Sequence, residues 1–142
     1  MNRAPVLVDL ALQGGGSHGA FTWGVLDRLL EESWLQIEGI FCTSAGAMNA
    51  AVLVDGYAEG GADGARARLE FFWKRVSEAA LLSPFRRSPF DILLGRWNNA
   101  EWTFLTMLRD EGRRSANVFL TAHGADLGAR STLDIDALIG QV

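Results

Sequence analysis

Two short segments constrain this chain most: a glycine-rich run, Gly14-Gly15-Gly16-Ser17-His18-Gly19, and a serine set between small residues, Cys42-Thr43-Ser44-Ala45-Gly46. Residues without a Cβ let the backbone approach closely and adopt positive φ, so the first segment predicts a loop whose N–H groups converge on an anion. Small residues on both sides of Ser44 allow a sharp strand-to-helix turn that exposes its hydroxyl. Together the segments predict an oxyanion cradle beside a serine nucleophile.

The sequence around the glycine run has the pattern of a βαβ unit. Residues 6–12 are mostly apolar and residues 37–41 form a second strand candidate, while residues 20–32 show helical spacing. We expect an α/β fold with a parallel-sheet βαβ core and a strand–elbow–helix turn, both motifs lying beyond the carboxyl ends of the strands. In the predicted helix, Phe21, Val25 and Leu29 form the apolar stripe, and Asp27, Arg28, Glu31 and Glu32 face solvent.

After Ser44 the pattern remains helical but is interrupted. Residues 45–54 are small and almost uncharged, as in a helix packed closely on a sheet. Residues 56–64 predict a glycine-rich connection in which Asp63 caps the next helix. Three later segments have weaker signals: an aromatic-rich stretch at 81–108, a strand candidate at 118–122 and a short helix or strand start at 133–139.

Composition narrows the class of protein. With 142 residues, 49% of them apolar, the chain can build one domain with a sizeable core. A net charge of −4 argues against a general nucleic-acid binder, which would show a basic face. The single cysteine allows no intrachain disulfide. Because no leader pattern and no run of about 18 apolar residues is present, we expect a cytoplasmic protein without a transmembrane segment.

The two motifs and their flanks resemble the patatin-like phospholipase family. The similarity is carried by residues 12–21 and 39–50 and extends over residues 6–80. It implies a Ser–Asp dyad that hydrolyses lipid acyl esters, as a phospholipase A or an esterase does, at a lipid or membrane surface, without a metal or cofactor. It makes Ser44 the nucleophile. The implied oxyanion hole consists of Gly14, Gly15, Gly16, Ser17, Gly19 and Ala45, and the elbow of Cys42, Thr43 and Gly46.

Two features depart from the family pattern. The family has glycine at the position of Cys42, and its dyad aspartate lies in an Asp-Gly-Gly or Asp-Gly-Ala motif well downstream of the serine. Asp63-Gly64-Ala65 spells that motif but follows the elbow helix too soon, so we expect it far from the strand ends. We therefore expect a partial family domain over residues 1–142, with a core at 6–80 and a helical or lid-like region at 81–142.

The general base for Ser44 is not evident from the sequence. His18 stands inside the glycine loop, and His123 with Asp126 would complete a Ser–His–Asp set, which occurs in any chain order. Both are weak candidates. Cys42 is expected to be a small buried residue rather than a second nucleophile.

Three functions stay open at this point. The first is lipid acyl hydrolysis, in contact with a membrane surface. The second is a non-catalytic remnant that binds lipid or a partner, a hypothesis that rests on Cys42 and on the lack of an evident dyad aspartate. The third is a nucleotide-binding module, since Gly14, Gly16, Gly19 and Glu38 approach the dinucleotide fingerprint. Exposed aromatic side chains would also favour self-association.

Overall fold

The computed structural model describes residues 3–82 and 102–131. Residues 133–139 and most of the aromatic-rich stretch, on which the lid expectation rests, lie outside these ranges. The βαβ unit of the prediction is present, and its two strands are parallel, so the expected α/β fold is confirmed. The elements are β1 (Val6–Leu12), a 3-10 turn (Gly16–His18), α1 (Gly19–Leu29), β2 (Leu35–Cys42), α2 (Ala45–Leu82) and α3 (Trp102–His123).

Within the described residues the sheet has two strands and only one covered face. Its register pairs Val6 with Leu35 and Leu12 with Cys42. Leu12 is buried on the helix side, whereas Leu7 and other alternate residues of β1 are exposed. Parallel sheets of α/β proteins are normally covered on both faces, whereas no element in residues 3–82 and 102–131 covers the outer face of this one.

The core lies between the covered sheet face and the helices, with the indole of Trp23 at its centre. Trp23 is 1% exposed. Its ring stacks on Trp73 of α2 at 6.4 Å between centroids and packs against Trp102 of α3 at 6.0 Å. Each aromatic pair contributes about 0.5–1.5 kcal/mol beyond the burial of its surface. Trp102 belongs to the aromatic-rich stretch of the sequence, and it is partly buried against the core.

The long helix α2 reverses direction at Gly60 and Gly61. The backbone leaves the helical region there, with φ of −149° and +62°. We call residues 45–59 the first arm of α2 and residues 62–82 the second arm. The arms pack side by side, because a Cβ added to Gly56 would lie 2.6 Å from the carbonyl oxygen of Gly64. Two ion pairs join them: Arg68 with Asp55 at 3.4 Å and Arg68 with Glu59 at 2.6 Å.

The sequence predicts this connection but overestimates its length. Helix continues through most of residues 56–64, and only two glycines leave it. Asp63 therefore lies inside the first turn of the second arm and not before it, so its assignment as the cap is wrong by about two residues. The glycines near the turn pack the arms together instead of forming a long loop.

Residues 118–122 belong to α3, so the strand expected there is wrong. The local preference of Val118 and its neighbours for β structure is overruled by tertiary packing. Leu105, Gly112 and Ala116 are buried at helical spacing along α3. Only a helix places all three on one side, against α1.

The backbones of α1 and α3 touch where they cross. A Cβ added to Gly24 would lie 1.9 Å from the carbonyl oxygen of Arg109, and one added to Gly112 would lie 2.1 Å from that of Phe21. These neighbours are backbone atoms, which cannot rotate away as a side chain can. Any side chain at either position must therefore separate the two helices.

Asp27 of α1 and Glu31 of the turn that follows it, which the sequence places in solvent, form ion pairs with two other helices. Arg66 Nε of α2 lies 2.8 Å from Asp27 Oδ1, and Arg113 Nη2 of α3 lies 2.7 Å from Glu31 Oε1. Arg113 also bonds to Asp27. Helical periodicity identifies the polar side of α1, but it does not show that two other helices bring arginines to that side.

Glu32 follows α1 and is held in its charged form. Its carboxylate lies 2.8 Å from Arg28 Nη2 and accepts a hydrogen bond from Trp34 Nε1 at 2.5 Å. The hydrogen bond from Arg28 lowers the pKa of Glu32 below its ordinary value, against the opposing effect of burial. A lowered carboxyl pKa stabilises the folded state above the pKa of the unfolded chain.

We expect Gly24→Ala to lower the free energy of unfolding by about 3 kcal/mol, because the clash with a backbone oxygen exceeds the roughly 1 kcal/mol that alanine gains in helix propensity. Gly60→Ala is the matched control. A Cβ at Gly60 meets nothing within 4 Å, so the change should stay below about 1 kcal/mol. Urea denaturation of both variants is the measurement, and equal effects would contradict the close helix crossing.

We expect the stability advantage of the natural chain over Glu32→Gln to be full above about pH 5 and to shrink as the pH falls towards 3. The sign follows from the lowered pKa of Glu32. In the folded state this carboxylate takes up its proton only at a more acidic pH than in the unfolded chain, and its charged hydrogen bond with Arg28 is then lost. Urea unfolding at a series of pH values measures the difference. If the difference in unfolding free energy between the two chains did not change with pH, the charge of Glu32 would not contribute to stability.

Candidate active site

Ser44 stands at a tight turn between β2 and α2. Its φ of +49° is the only positive value of a non-glycine residue within residues 3–82 and 102–131. A side chain rarely adopts this conformation, and such strain is concentrated at functional sites. The carbonyl of Thr43 accepts a hydrogen bond from Gly46 N–H at 2.8 Å, which begins the helix at once. The Ser44 side chain is exposed, as a nucleophile elbow requires.

The turn closes because Gly46 rests on the end of β1. A Cβ at this position would lie 2.3 Å from the carbonyl oxygen of Leu12 and 2.9 Å from that of Gln13. Thr43 N–H donates to the same Leu12 oxygen at 3.2 Å. Close backbone contact between the start of α2 and the end of β1 therefore requires glycine at position 46, two residues after the serine.

Cys42, two positions before the serine, is exposed, so the expectation of a buried thiol is wrong. It pairs with Leu12 at the last register position of the sheet. No described element covers this end of β2. Ser44 keeps its positive φ although cysteine replaces the glycine of the family pattern.

The glycine loop lies directly beside Ser44. A Cβ added to Gly14 would lie 2.8 Å from Ser44 Cβ and 3.2 Å from the carbonyl oxygen of Thr43. Gly16 has a φ of +59°, which turns the loop into the 3-10 segment before α1. The fold thus brings together the two motifs that the sequence singles out.

The amino-terminal ends of α1 and α2 meet at this place. A Cβ added to Gly19 would lie 2.8 Å from Ala45 Cβ. The first N–H groups of a helix lack an intrahelical acceptor and carry a partial positive charge. In the described part of the chain, no backbone carbonyl accepts a hydrogen bond from Gly15, Gly16 or Ala45. These N–H groups are available to a negatively charged oxygen.

The remaining predicted oxyanion residues have other parts in the geometry. Gly19 N–H donates to the carbonyls of Gly16 and Ser17 and closes the 3-10 turn. Gly14 permits the close approach to Ser44. Ser17 lies within the 3-10 turn itself. Within the loop, the N–H groups of Gly15 and Gly16 are therefore free, whereas that of Gly19 is used in the 3-10 turn.

A buried asparagine that sequence reasoning missed holds the two helix ends together. Asn49 is 0% exposed. Its Nδ2 donates to the carbonyl oxygen of Gly19 at 2.9 Å, and its Oδ1 accepts from Trp73 Nε1 at 2.9 Å. A buried amide without partners would be costly, so this pairing connects α1 with both arms of α2. The available signal was one amide within a run of small, uncharged helical residues.

Among residues 3–82 and 102–131, no side chain hydrogen-bonds to the Ser44 hydroxyl. His18 Nδ1 lies 3.2 Å from the carbonyl oxygen of Gly15 in its own loop. Asp63 lies beyond the first arm of α2, which extends about 22 Å away from Ser44. The aspartate of the Asp-Gly-Ala sequence is thus remote from the site, as the sequence predicts.

The pair of His123 and Asp126 lies at the opposite edge of the molecule. The turn that follows α3 packs on the first residue of β1, where a Cβ at Gly128 would lie 2.9 Å from Val6 Cγ1. Ser44 lies beyond the other end of the strands, about 20 Å away. Hydrogen bonds from Arg130 lower the pKa of Asp126, so this carboxylate is already engaged. A Ser–His–Asp set with Ser44 is therefore excluded by position.

The dinucleotide alternative is contradicted by the position of Glu38. This residue lies at the irregularity in the middle of β2, about 13 Å before the carboxyl end of the strand. An acidic residue that binds ribose must lie at that end. Glu38 is exposed within the strand.

Residues 3–82 and 102–131 contain neither a cluster of metal-ligating side chains nor a helix that could span a membrane. These residues form no group of three or more His, Cys, Asp and Glu side chains that could hold a metal ion. None of their helices combines the length and the apolar character needed to cross a bilayer.

We expect Asn49→Leu to lower the free energy of unfolding by about 3 kcal/mol, because Trp73 N–H and the Gly19 carbonyl lose their buried partner. Asn117→Leu is the control. Asn117 is exposed and accepts a single hydrogen bond from Arg28, so its loss should cost less than about 1 kcal/mol. Thermal and urea unfolding measure both variants, and comparable losses would argue against the buried bridge.

Comparison with known proteins agrees with the geometry. The family model described as patatin-like phospholipase matches residues 10–128, which contain both motifs and most of the described helices. No curated protein and no solved structure matches the chain. Since the family model covers more than half of the sequence, the chain belongs to the patatin-like phospholipase family.

Proposed function

We propose that this chain hydrolyses acyl esters of lipids with Ser44 as the nucleophile. Membership of a phospholipase family supports the substrate class. The observation that carries the role of Ser44 is its contact with the glycine loop at Gly14, which sets unpaired N–H groups beside an exposed hydroxyl on a strained turn. A buried serine would lack the exposed hydroxyl, and a serine with ordinary helical or extended backbone angles would lack the strained turn.

In the proposed reaction, Ser44 Oγ attacks the carbonyl carbon of the ester, and the carbonyl oxygen becomes an oxyanion. The N–H groups of Gly15, Gly16 and Ala45 bind that oxygen, and one such donor is worth about 10²–10³ in rate. Collapse of the intermediate breaks the ester bond and releases the alcohol. Water then attacks the acyl-serine, releases the fatty acid and restores the hydroxyl.

A general base must take the Ser44 proton in the first step and return it to the departing alcohol. We assign this role to none of the described residues, because none of their side chains hydrogen-bonds to the Ser44 hydroxyl. The two helix ends add a favourable potential for the oxyanion, each about 0.3–1 kcal/mol. The helix ends stabilise the negative charge of the oxyanion, but they cannot accept the proton of Ser44.

We also propose that the chain acts at a lipid surface, as a cytoplasmic protein in peripheral contact with a membrane. The exposed apolar side chains on both sides of Ser44 in the sequence support this: Phe41 is 70% exposed and Met48 is 57% exposed. Apolar side chains beside a lipid-binding site lower the cost of contact with acyl chains.

The second candidate function is a non-catalytic lipid-binding member of the family. The observation that favours it is the lack of a base beside the Ser44 hydroxyl in the described residues. This candidate predicts that Ser44 is not labelled by a fluorophosphonate and that carboxylic esters do not turn over, because a serine hydroxyl without a base is a poor nucleophile.

We expect a short-chain fluorophosphonate to label the natural chain at Ser44 and to leave Ser44→Ala unlabelled. Ser33→Ala is the matched control, since Ser33 is an exposed serine in the turn before β2. Intact-protein mass spectrometry measures the mass gain, and turnover of a short-chain nitrophenyl ester separates the two candidate functions.

Label that persists in Ser44→Ala, or folded natural chain that takes up none, would refute Ser44 as the nucleophile. Folded chain that shows neither labelling nor ester turnover would favour the non-catalytic candidate. Turnover that disappears in Ser44→Ala and remains in Ser33→Ala supports the hydrolase.

A further inference from the structure

An apolar stripe begins at Ser44 and continues along the exposed side of the first arm of α2. Met48 N–H donates to the carbonyl oxygen of Ser44 at 3.2 Å, so Met48 stands one helical turn further on. Ala51 and Val54 follow at spacings of three residues and are also exposed. Residues three and four apart lie on the same side of a helix, so these side chains form one continuous strip.

The stripe has a defined length and a polar end. Its first charged residue is Asp55, which pairs with Arg68 of the second arm at 3.4 Å. Asp55 lies 11 residues after Ser44, or about 16 Å along the helix axis, which an extended alkyl chain of roughly a dozen carbons spans. The open strip therefore has the dimensions of a fatty acyl chain.

We propose that this stripe binds the acyl chain of the ester substrate, with Met48 and Val54 as specificity-determining residues. The inference rests on the proposed function, because the carbonyl carbon under attack must lie at Ser44 and the chain attached to it must leave in some direction. Along the first arm of α2 the chain meets apolar side chains from its first carbons.

The chemistry of the stripe favours an alkyl chain over a peptide. The backbone of α2 has its hydrogen bonds within the helix, and Met48, Ala51 and Val54 offer no polar side-chain group. A bound peptide would need partners for its own N–H and C=O groups. An alkyl chain needs only apolar surface.

A depression on α3 is the rival location for an alkyl chain. It is lined in part by Met107, together with Asp110, Glu111 and Arg114. All its lining residues belong to α3, so this surface is not part of the strip that begins at Ser44. It contains an exposed methionine, which makes it a useful internal comparison.

Methionine methyl NMR tests the proposal, because the chain has three methionines and two of them report on the competing surfaces. Met48 and Met107 are 57% and 56% exposed, so unspecific adsorption would affect both alike. We expect decanoate, kept below its micelle concentration, to shift the Met48 signal saturably and to leave Met107 unchanged. Butyrate should have little effect.

The affinity for fatty acids should rise about twofold for each added methylene, which is the gain expected when an open surface buries roughly half of the group. The rise should end near a dozen carbons, where the stripe meets Asp55. Val54→Ser should weaken decanoate binding about threefold or more. Val118→Ser on α3 is the matched control, since Val54 and Val118 are 58% and 55% exposed.

A shift of Met107 alone, equal shifts of both signals, or no shift of Met48 would each overturn the proposal. So would equal effects of the two valine substitutions. Failure of the proposed function is distinguishable, because the short-chain fluorophosphonate does not need the stripe. Labelled Ser44 without a Met48 response refutes the stripe alone. A Met48 response without labelling refutes the nucleophile and, with it, the role of the stripe in an ester substrate, and leaves only a surface that binds fatty acids.

Discussion

Backbone-to-backbone contact between the ends of two helices and the ends of two strands is the constraint on which the candidate site depends. Gly46 rests on the last carbonyls of β1, and Gly14 rests on Ser44, at distances that leave no room for a Cβ. Because no side chain intervenes, free N–H groups from the glycine loop and from α2 converge beside one hydroxyl. Asn49 then binds the start of α1 to the second arm of α2 through two buried hydrogen bonds.

The position of α1, and with it that of the glycine loop, is determined far from Ser44. The crossing at Gly24 brings α1 and α3 into backbone contact, and Trp23 packs between the aromatic rings of α2 and α3. Asp27 adds ion pairs to arginines of both helices. A change at this crossing is expected to move the free N–H groups of the glycine loop without touching them, since helix ends move as rigid parts of their helices.

In the proposed site, the start of α2 and the exposed side of its first arm bind different parts of the substrate. The start of α2 offers unpaired N–H groups and a positive potential, which suit the developing oxyanion. The exposed side of its first arm offers Met48 and Val54, which suit hydrocarbon. In an ester of a fatty acid, the carbonyl group that becomes the oxyanion is bonded directly to the hydrocarbon chain. The proposed nucleophile at the end of an apolar helix face therefore fits that substrate class.

The sequence by itself determined the two motifs, the βαβ order and the family, because glycine runs and apolar spacing act locally within about 40 residues. It also placed the change of direction in α2, although Asp63 lies inside the helix. The tertiary structure alone decided the rest. Asn49 became a bridge and Cys42 an exposed residue because contacts between distant segments determine burial. Residues 118–122 became helical for the same reason: their β preference is worth less than the packing of α3 against α1.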